Sequence, residues 1–192
     1  GNKCEIDSFS TLSGCSLQND VKVGRLTSIC ESSYIGEQST IGDNVFIAPK
    51  VRMANYTNVG DNVKIDSGTI LGDPTFCLLM PTQRHNIKIS ANVFIGANTT
   101  IQNFFSIGAN SIIGSGTKIQ KNVEIGSFVK IKEDSSIGSY VSINNHAEIG
   151  ALSQIGSFTK IHKNVKVGNM VNIGDFCEIE EGAIIADGVN IG

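Results

Sequence analysis

The stretch IGANTTIQNFFSIGANSIIGSGTKIQ, residues 95–120, carries an isoleucine at every sixth position. The sixth position stays aliphatic without interruption from Ile89 to Ile191. Steps of six scatter side chains over three faces of an α-helix, so this spacing excludes an amphipathic helix. The spacing is compatible with the two-residue period of a strand. A strict hexad sustained over this length indicates a solenoid, in which each hexad forms one short side of a coil.

Each hexad has a recurring internal pattern. A small or β-branched residue stands two positions before the isoleucine, as at Thr99 and Ser111, and would face the same side of a strand. Glycine is frequent directly after the isoleucine, as at Gly108 and Gly114. Glycine followed by Asn, Asp, Ser or Ala is typical of turns, because these residues tolerate positive φ or bond their own backbone. We therefore expect a three-residue strand and a three-residue corner per hexad, with three hexads closing a triangular coil of 18 residues.

This pattern resembles the hexapeptide-repeat proteins, whose fold is the left-handed parallel β-helix. The left hand is implied by the resemblance alone, because the general crossover rule predicts the opposite hand. We expect an all-β fold of this kind, with about ten coils stacked into a prism ~50 Å long. The unbroken register predicts a single domain over residues 1–192.

The hexad register is broken twice and ends in mid-repeat. Leu17 follows Leu12 after five residues, which predicts an irregular first coil. The segment 72–88 carries two of the three prolines and is either an irregular coil or a loop that leaves the prism, and such loops often carry function. The sequence stops at Ile191 and Gly192, where family members usually have a helix or domain that covers the open edge. We expect either a fragment lacking a C-terminal cap or ends that are blocked by packing.

Composition excludes several classes of protein. The net charge of −3 gives no electrostatic case for nucleic-acid binding. No apolar run reaches the ~18 residues of a membrane span, and no signal peptide is evident, which favours a cytoplasmic protein without membrane insertion. The five cysteines lack metal-ligand spacing and are interpreted as reduced, buried thiols of a cytosolic protein.

The resemblance also implies an activity. Most enzymes of this superfamily are trimers that move an acyl group from a thioester carrier to a hydroxyl or amine. The text is nearest to the sugar O- and N-acetyltransferases, which implies acetyl-CoA or a related acyl thioester as co-substrate, a sugar or nucleotide-sugar acceptor, and a homotrimer. Such chemistry needs a general base and backbone N–H groups that stabilise an oxyanion.

His85 is the candidate general base. It stands in HNIKIS and resembles in position the family pattern His-(Asp/Glu)-Cys-x-(Ile/Val)-Gly, although Asn86, Ile87 and Ser90 replace the acid, the Cys and the Gly. His146 is the second candidate. Its sequence, NHAEIG, is closer to the same family pattern, but the histidine stands one position later than the pattern requires.

No metal is expected from the three histidines. His162 directly follows Ile161, at a position usually held by glycine. His146 and His162 are sixteen residues apart and should share a corner on adjacent coils, but no third ligand is evident. The γ-class carbonic anhydrases, which have this fold, bind zinc through three histidines at a spacing that is not matched here.

A donor site is implied by two further stretches. NVFIGANTTI (92–101) and IGANSIIGSGTKIQKNV (107–123) resemble the text IGANxxI…IGAGSVVTKDV of sugar and antibiotic O-acetyltransferases. By that resemblance Ala109, Gly114 and Ser115 would line the pantetheine arm and Lys121 would approach a phosphate of coenzyme A. Residues 85, 103 and 121 differ by eighteen, so His85, Asn103 and Lys121 are expected to stack along one edge, with Asn103 also contacting the donor.

A second hypothesis is a non-catalytic assembly or regulatory module of a larger protein. The long regular C-terminal half and the incomplete match around the histidines favour it. Segment 72–88 discriminates between the two, since an ordered loop that reaches a neighbour's groove favours catalysis and a plain coil favours the module.

Overall fold

In the computed structural model, residues 3–72 and 87–192 are described. Within these residues the regular structure is entirely β, with three parallel sheets of ten strands each. Every third strand along the chain belongs to the same sheet, so the chain winds around a triangular prism. This architecture is the left-handed parallel β-helix, and the expected fold class is confirmed.

The three sheets are named here A, B and C in the order in which the chain visits them. Sheet A contains Glu5–Ile6, Lys22–Val23, Thr40–Ile41, Thr57–Val59, Ile87–Ile89, Phe105–Ile107, Val123–Ile125, Ser142–Ile143, Lys160–Ile161 and Glu178–Ile179. Sheet B contains Thr11–Leu12, Ser28–Ile29, Phe46–Ile47, Lys64–Ile65, Phe94–Ile95, Ile112–Ile113, Lys130–Ile131, Glu148–Ile149, Lys166–Val167 and Ile184–Ile185. Sheet C contains Ser16–Leu17, Tyr34–Ile35, Arg52–Met53, Ile70–Leu71, Thr100–Ile101, Lys118–Ile119, Ser136–Ile137, Gln154–Ile155, Asn172–Ile173 and Asn190–Ile191.

Three corners join the sheets within each coil. Corner AB links a strand of sheet A to the next strand of sheet B, as residues 108–111 do, and corner BC links sheet B to sheet C, as residues 114–117 do. Corner CA links sheet C to sheet A of the following coil, as residues 120–122 do. Residues at the same corner of successive coils therefore form columns that run along the prism.

The repeating isoleucines fill the interior of the prism. Ile107, Ile125 and Ile143 pair in register on successive coils of sheet A, and all three are buried. Fully burying such a side chain contributes about 1.5–3 kcal/mol relative to leaving it exposed. Because each coil adds the same layer, the core is one column of aliphatic side chains along the axis.

Buried hydroxyl groups tie neighbouring coils together at the corners. Ser153 is fully buried, and its hydroxyl donates to the carbonyl of Gly168 (2.9 Å) and accepts from the backbone N–H of Val171 (3.1 Å). Ser111, in corner AB of an earlier coil, makes the equivalent bonds to Gly126 and Val129. The small residue two positions before the isoleucine thus satisfies backbone groups of the next coil, which would otherwise be buried without partners.

The glycines after the isoleucines are required for a different reason from the one expected. Positive φ falls on the third residue after the isoleucine, as at Asn122 (φ 58°), and not on Gly126 or its equivalents. A Cβ atom on Gly126 would lie 2.7 Å from the backbone nitrogen of Asn145 on the next coil. Glycine is therefore selected by the close approach of consecutive coils, while the predicted turn is present with its positive φ two residues further along.

The two breaks in the hexad register are accommodated differently. In the first coil Leu12 pairs with Ile29, a separation of 17 residues, so the corner before Ser16 is one residue shorter than its equivalents. Thr57 pairs directly with Ile87, a separation of 30 residues. The coils on either side of residues 73–86 are therefore adjacent in the stack, with twelve residues more between them than in a regular coil.

Candidate functional site

A concave site of about 450 Å³ lies where sheet A meets corner CA. It extends over four successive coils of the prism. Its lining comprises Lys88, Phe104, Phe105, Ser106, Asn122, Glu124, Tyr140, Val141 and Ser142.

Two aromatic side chains form the walls of this concave site. Phe104 and Tyr140 are about half exposed, at 46% and 49%, and occupy equivalent positions two coils apart in corner CA. Asn122 lies between them in the same column, and the three residues share a left-handed backbone with φ of 58–60°. The walls therefore project from one edge of the prism, with a shorter side chain between them.

Sheet A supplies the polar side chains of the site. Lys88, Ser106, Glu124 and Ser142 pair in register on consecutive strands. Successive strand residues face opposite sides, so these four point outward while their neighbours, such as Phe105, fill the core. Within the described part of the chain the side chains of Lys88 and Glu124 have no hydrogen bond or ion pair, which leaves both charges available to a ligand.

Beyond the site, the same column of corner CA is a ladder of stacked rings. The ring centroids of Tyr140 and Phe158 are 4.8 Å apart, and those of Phe158 and Phe176 are 4.9 Å apart. The interplanar angles are 4° and 2°. Sequence reasoning missed this feature, although Phe104, Asn122, Tyr140, Phe158 and Phe176 are each eighteen residues apart and could have been found by the same arithmetic as the core.

The predicted base, His85, lies outside the described residues. Asn103 and Lys121, which were predicted to stack with it, lie in corner CA on adjacent coils. The carbonyl of Asn103 accepts from the N–H of Asn122, and that of Lys121 accepts from the N–H of Tyr140, both at 3.1 Å. Both residues thus directly precede residues that line the concave site.

The other predicted donor-binding residues lie at different corners. Ala109 is in corner AB, where its carbonyl accepts from the N–H of Phe128 (3.0 Å). Gly114 and Ser115 are in corner BC, and the carbonyl of Ser115 accepts from the N–H of Asp134 (2.8 Å). Within one chain the structure therefore does not bring Ala109, Gly114 and Ser115 together with Lys121.

His146 lies in corner AB, away from the concave site. It is exposed, it has φ of 61°, and its ring stacks on Phe128 with centroids 5.0 Å apart. Its backbone N–H donates to the carbonyl of Ser127.

The partner of His162 is Glu178, with Nε2 2.7 Å from the carboxylate oxygen. The potential ligand atoms of His162, Glu178 and Glu180 all lie within 4.8 Å of one another, a group that could accept a divalent cation. Lys160 competes for the same carboxylate at 3.2 Å. The hydrogen bond from His162, and then that from Lys160, lowers the pKa of Glu178. The sequence offered a signal for this group, because residues 162 and 180 differ by eighteen.

No helix in residues 3–72 or 87–192 has the length and apolar character needed to cross a membrane.

Comparison with known sequences gives two matches within the repeat. The family described as Bacterial transferase hexapeptide (six repeats) matches residues 86–121 and 116–151. The bifunctional protein GlmU of Ruegeria sp. (strain TM1040) is 28% identical over an alignment of 102 residues that covers 50% of this chain and 22% of that protein. The chain thus matches about a fifth of the length of this curated relative.

Solved structures share the fold at low sequence identity. The acetyltransferase domain of PglB from Neisseria gonorrhoeae, in complex with acetyl coenzyme A, superposes with a TM-score of 0.52 at 19% identity, over 54% of this chain and 49% of that one. A variant of perosamine N-acetyltransferase from Caulobacter crescentus, in complex with CoA and GDP-perosamine, gives 0.51 at 13% identity, over 75% and 67%. The uninterrupted hexads, the three parallel sheets and these matches together show that the chain has hexapeptide repeats and the parallel β-helix fold, and that residues 86–151 are similar to the bacterial transferase hexapeptide family.

Proposed function

We propose that the chain is an acyltransferase that moves an acetyl or acyl group from a coenzyme A thioester, or a related acyl carrier, to a hydroxyl or amine of a sugar or nucleotide-sugar. The observation that carries the proposal is that the family match and the concave site cover the same part of the chain. The residues matched by the transferase family, 86–151, include every residue that lines the concave site, from Lys88 to Ser142.

His85 is proposed as the general base. Lys88, three residues further along the chain, lines the concave site. Imidazole suits the role because its ordinary pKa lies close to neutrality.

The proposed reaction is a direct transfer without a covalent enzyme intermediate. The base takes the proton of the acceptor hydroxyl or amine as its oxygen or nitrogen attacks the thioester carbonyl. The tetrahedral oxyanion collapses, the carbon–sulfur bond breaks, and the thiol of the carrier leaves with the proton. The products are the acylated sugar and the free thiol.

The placement of the proposed donor-binding residues supports a homotrimer. Lys121 and Asn103 lie in corner CA, Ala109 in corner AB, and Gly114 and Ser115 in corner BC. A thioester carrier can contact such a set only where corners of neighbouring prisms meet. We therefore place the donor in a cleft between subunits, with Lys121 facing a phosphate.

The first test is calorimetric titration with acetyl-CoA, with the oligomeric state measured by light scattering in the same buffer. The proposal predicts micromolar binding at one site per chain in a trimer. Release of free thiol on addition of a panel of amino sugars and nucleotide-sugars then tests transfer. A folded protein that neither binds acetyl-CoA nor releases thiol would favour the assembly or regulatory module.

Two histidine variants test the assignment of the base. His85→Ala is expected to abolish transfer and to leave acetyl-CoA binding and thermal stability nearly unchanged. His146→Ala is the matched variant, because it removes an imidazole from corner AB without touching the concave site. Loss of transfer in His146→Ala with retention in His85→Ala would reverse the assignment.

A further inference from the structure

The aromatic ladder of corner CA lacks a ring at one position. Tyr140, Phe158 and Phe176 stack at intervals of 4.8 and 4.9 Å, which is one coil per ring. The next position is occupied by Asn122, and the one after it again by an aromatic residue, Phe104. The concave site includes this interruption, since Phe104, Asn122 and Tyr140 all line it.

The interruption is about one ring wide. Parallel coils are spaced by about 4.8 Å, so equivalent atoms of Phe104 and Tyr140 are separated by roughly 9.6 Å. A planar base in contact with both walls needs about 7–8 Å, twice the usual carbon–carbon contact distance. A chair-form pyranose is thicker, because C–H bonds project from both of its faces, and it occupies the additional ~2 Å.

The polar lining fits a polyhydroxylated ligand. Asn122 supplies an amide and Glu124 a carboxylate, while Ser106 and Ser142 supply hydroxyls and Lys88 an ammonium group. Sugar hydroxyls both donate and accept, so they match such a mixed set of donors and acceptors. Within the described residues the side chains of Asn122 and Glu124 are not engaged elsewhere.

We propose that the gap between Phe104 and Tyr140 binds a pyranose ring, with the two aromatic side chains against its faces and Asn122 and Glu124 hydrogen-bonded to its hydroxyls. Binding at this position is independent of acyl transfer. Only the further role of the bound sugar, as acceptor, rests on the proposed function.

The test is to fill the gap with a side chain. Asn122→Phe would complete the ladder in a backbone conformation that Phe158 already adopts, with φ of 58° and 59° respectively. The variant is therefore expected to fold with unchanged or raised stability. Asn164→Phe is the matched control, because it makes the same change at φ of 60° in corner AB, outside the concave site.

Binding is measured by NMR titration with methyl glycosides of neutral and 2-amino hexopyranoses, and with uridine and guanosine. The expected result is saturable glycoside binding by the wild-type protein, with upfield shifts of the sugar ring protons caused by the aromatic walls. Asn122→Phe is expected to lose this binding and Asn164→Phe to retain it.

Single-wall variants provide a second measurement. Phe104→Ala and Tyr140→Ala are each expected to weaken glycoside binding about tenfold, which corresponds to the loss of one aromatic face. Phe158→Ala removes a ring of the same ladder that does not line the site, and it is expected to bind glycoside as the wild type does.

The outcomes separate this inference from the proposed function. Glycoside binding that Asn122→Phe abolishes, in a protein that transfers no acyl group, supports the sugar site and contradicts the acyltransferase. Glycoside binding that Asn122→Phe retains, or binding of the nucleosides in place of the glycosides, overturns the sugar site and leaves the acyltransferase standing. Acyl transfer that is unaffected in Asn122→Phe overturns only the role of the bound sugar as acceptor.

Discussion

The ring of Phe158 lies parallel to the ring of Tyr140, with an interplanar angle of 4° and centroids 4.8 Å apart. Both residues have a left-handed backbone, with φ of 59° and 60°. This conformation costs a non-glycine residue about 1–2 kcal/mol. Stacking along the corner offsets part of that cost, because an offset-stacked pair contributes about 0.5–1.5 kcal/mol beyond its buried area.

Removing the middle ring of the ladder should therefore destabilise the protein although the ring is half exposed. Phe158→Ala breaks two stacked pairs and is expected to lower the free energy of unfolding by about 1–2 kcal/mol. Leu152 is the matched control, because it has φ of 58° and 55% exposure but stands outside the ladder, in corner BC. Leu152→Ala should cost less than about 0.5 kcal/mol. Equal losses in the two variants, measured by urea unfolding, would contradict a stabilising role of stacking.

The buried hydroxyl of Ser153 should contribute more to the free energy of unfolding than a group of its size usually does. Ser153→Ala leaves the N–H of Val171 and the carbonyl of Gly168 without their side-chain partner inside the prism. An unsatisfied buried group costs about 1–3 kcal/mol, and we expect that loss in denaturant unfolding. Ser153→Thr keeps the hydroxyl at the hexad position that Thr159 occupies in the following corner, and it should unfold as the wild type does. A loss in both variants would point to crowding instead of hydrogen bonding.

The close approach of coils at Gly126 predicts intolerance of the smallest side chain. Gly126→Ala places a methyl group 2.7 Å from the nitrogen of Asn145, whose side-chain oxygen also accepts from the N–H of Ser127. Such overpacking costs about 1–3 kcal/mol, visible as a lower midpoint of unfolding. Lys132 follows Ile131 at the equivalent hexad position and already has a Cβ atom, so Lys132→Ala should cost clearly less. Equal tolerance at the two positions would show that the coils can separate locally.

The pKa of Glu178 should depend on its two basic neighbours. The hydrogen bond from His162 is the larger cause of its lowered pKa, and Lys160 is the next. A carboxyl whose pKa is lowered on folding stabilises the protein above its unfolded-state pKa, and this contribution is lost as pH falls through the folded-state pKa. Carboxyl NMR titration should show a pKa below the ordinary value, raised most by His162→Ala and less by Lys160→Ala. Lys163→Ala, which removes the partner of Glu181, should leave it unchanged.

The sequence was sufficient to predict the fold because each hexad forms one side of a coil, so the period of the sequence equals the period of the structure. Isoleucines at every sixth position are all buried when three short strands form one triangular coil, and few other folds repeat in this way. The columns of the prism follow from the same arithmetic, which is why Lys121 could be placed one coil beyond Asn103 from the sequence alone. The resemblance to acyltransferases then supplied the hypothesis of function.

The sequence determined the fold, the core and the column in which each corner residue stands, because these depend only on spacing along the chain. Tertiary structure decided how the columns are used. It placed Thr57 directly against Ile87 across thirty residues, and it gave Gly126 its role through the approach of the next coil. It also placed Phe104 and Tyr140 on either side of the shorter Asn122, so that the two aromatic side chains form the walls of a gap. These relations depend on distances between side chains on different coils, which spacing along a chain does not contain.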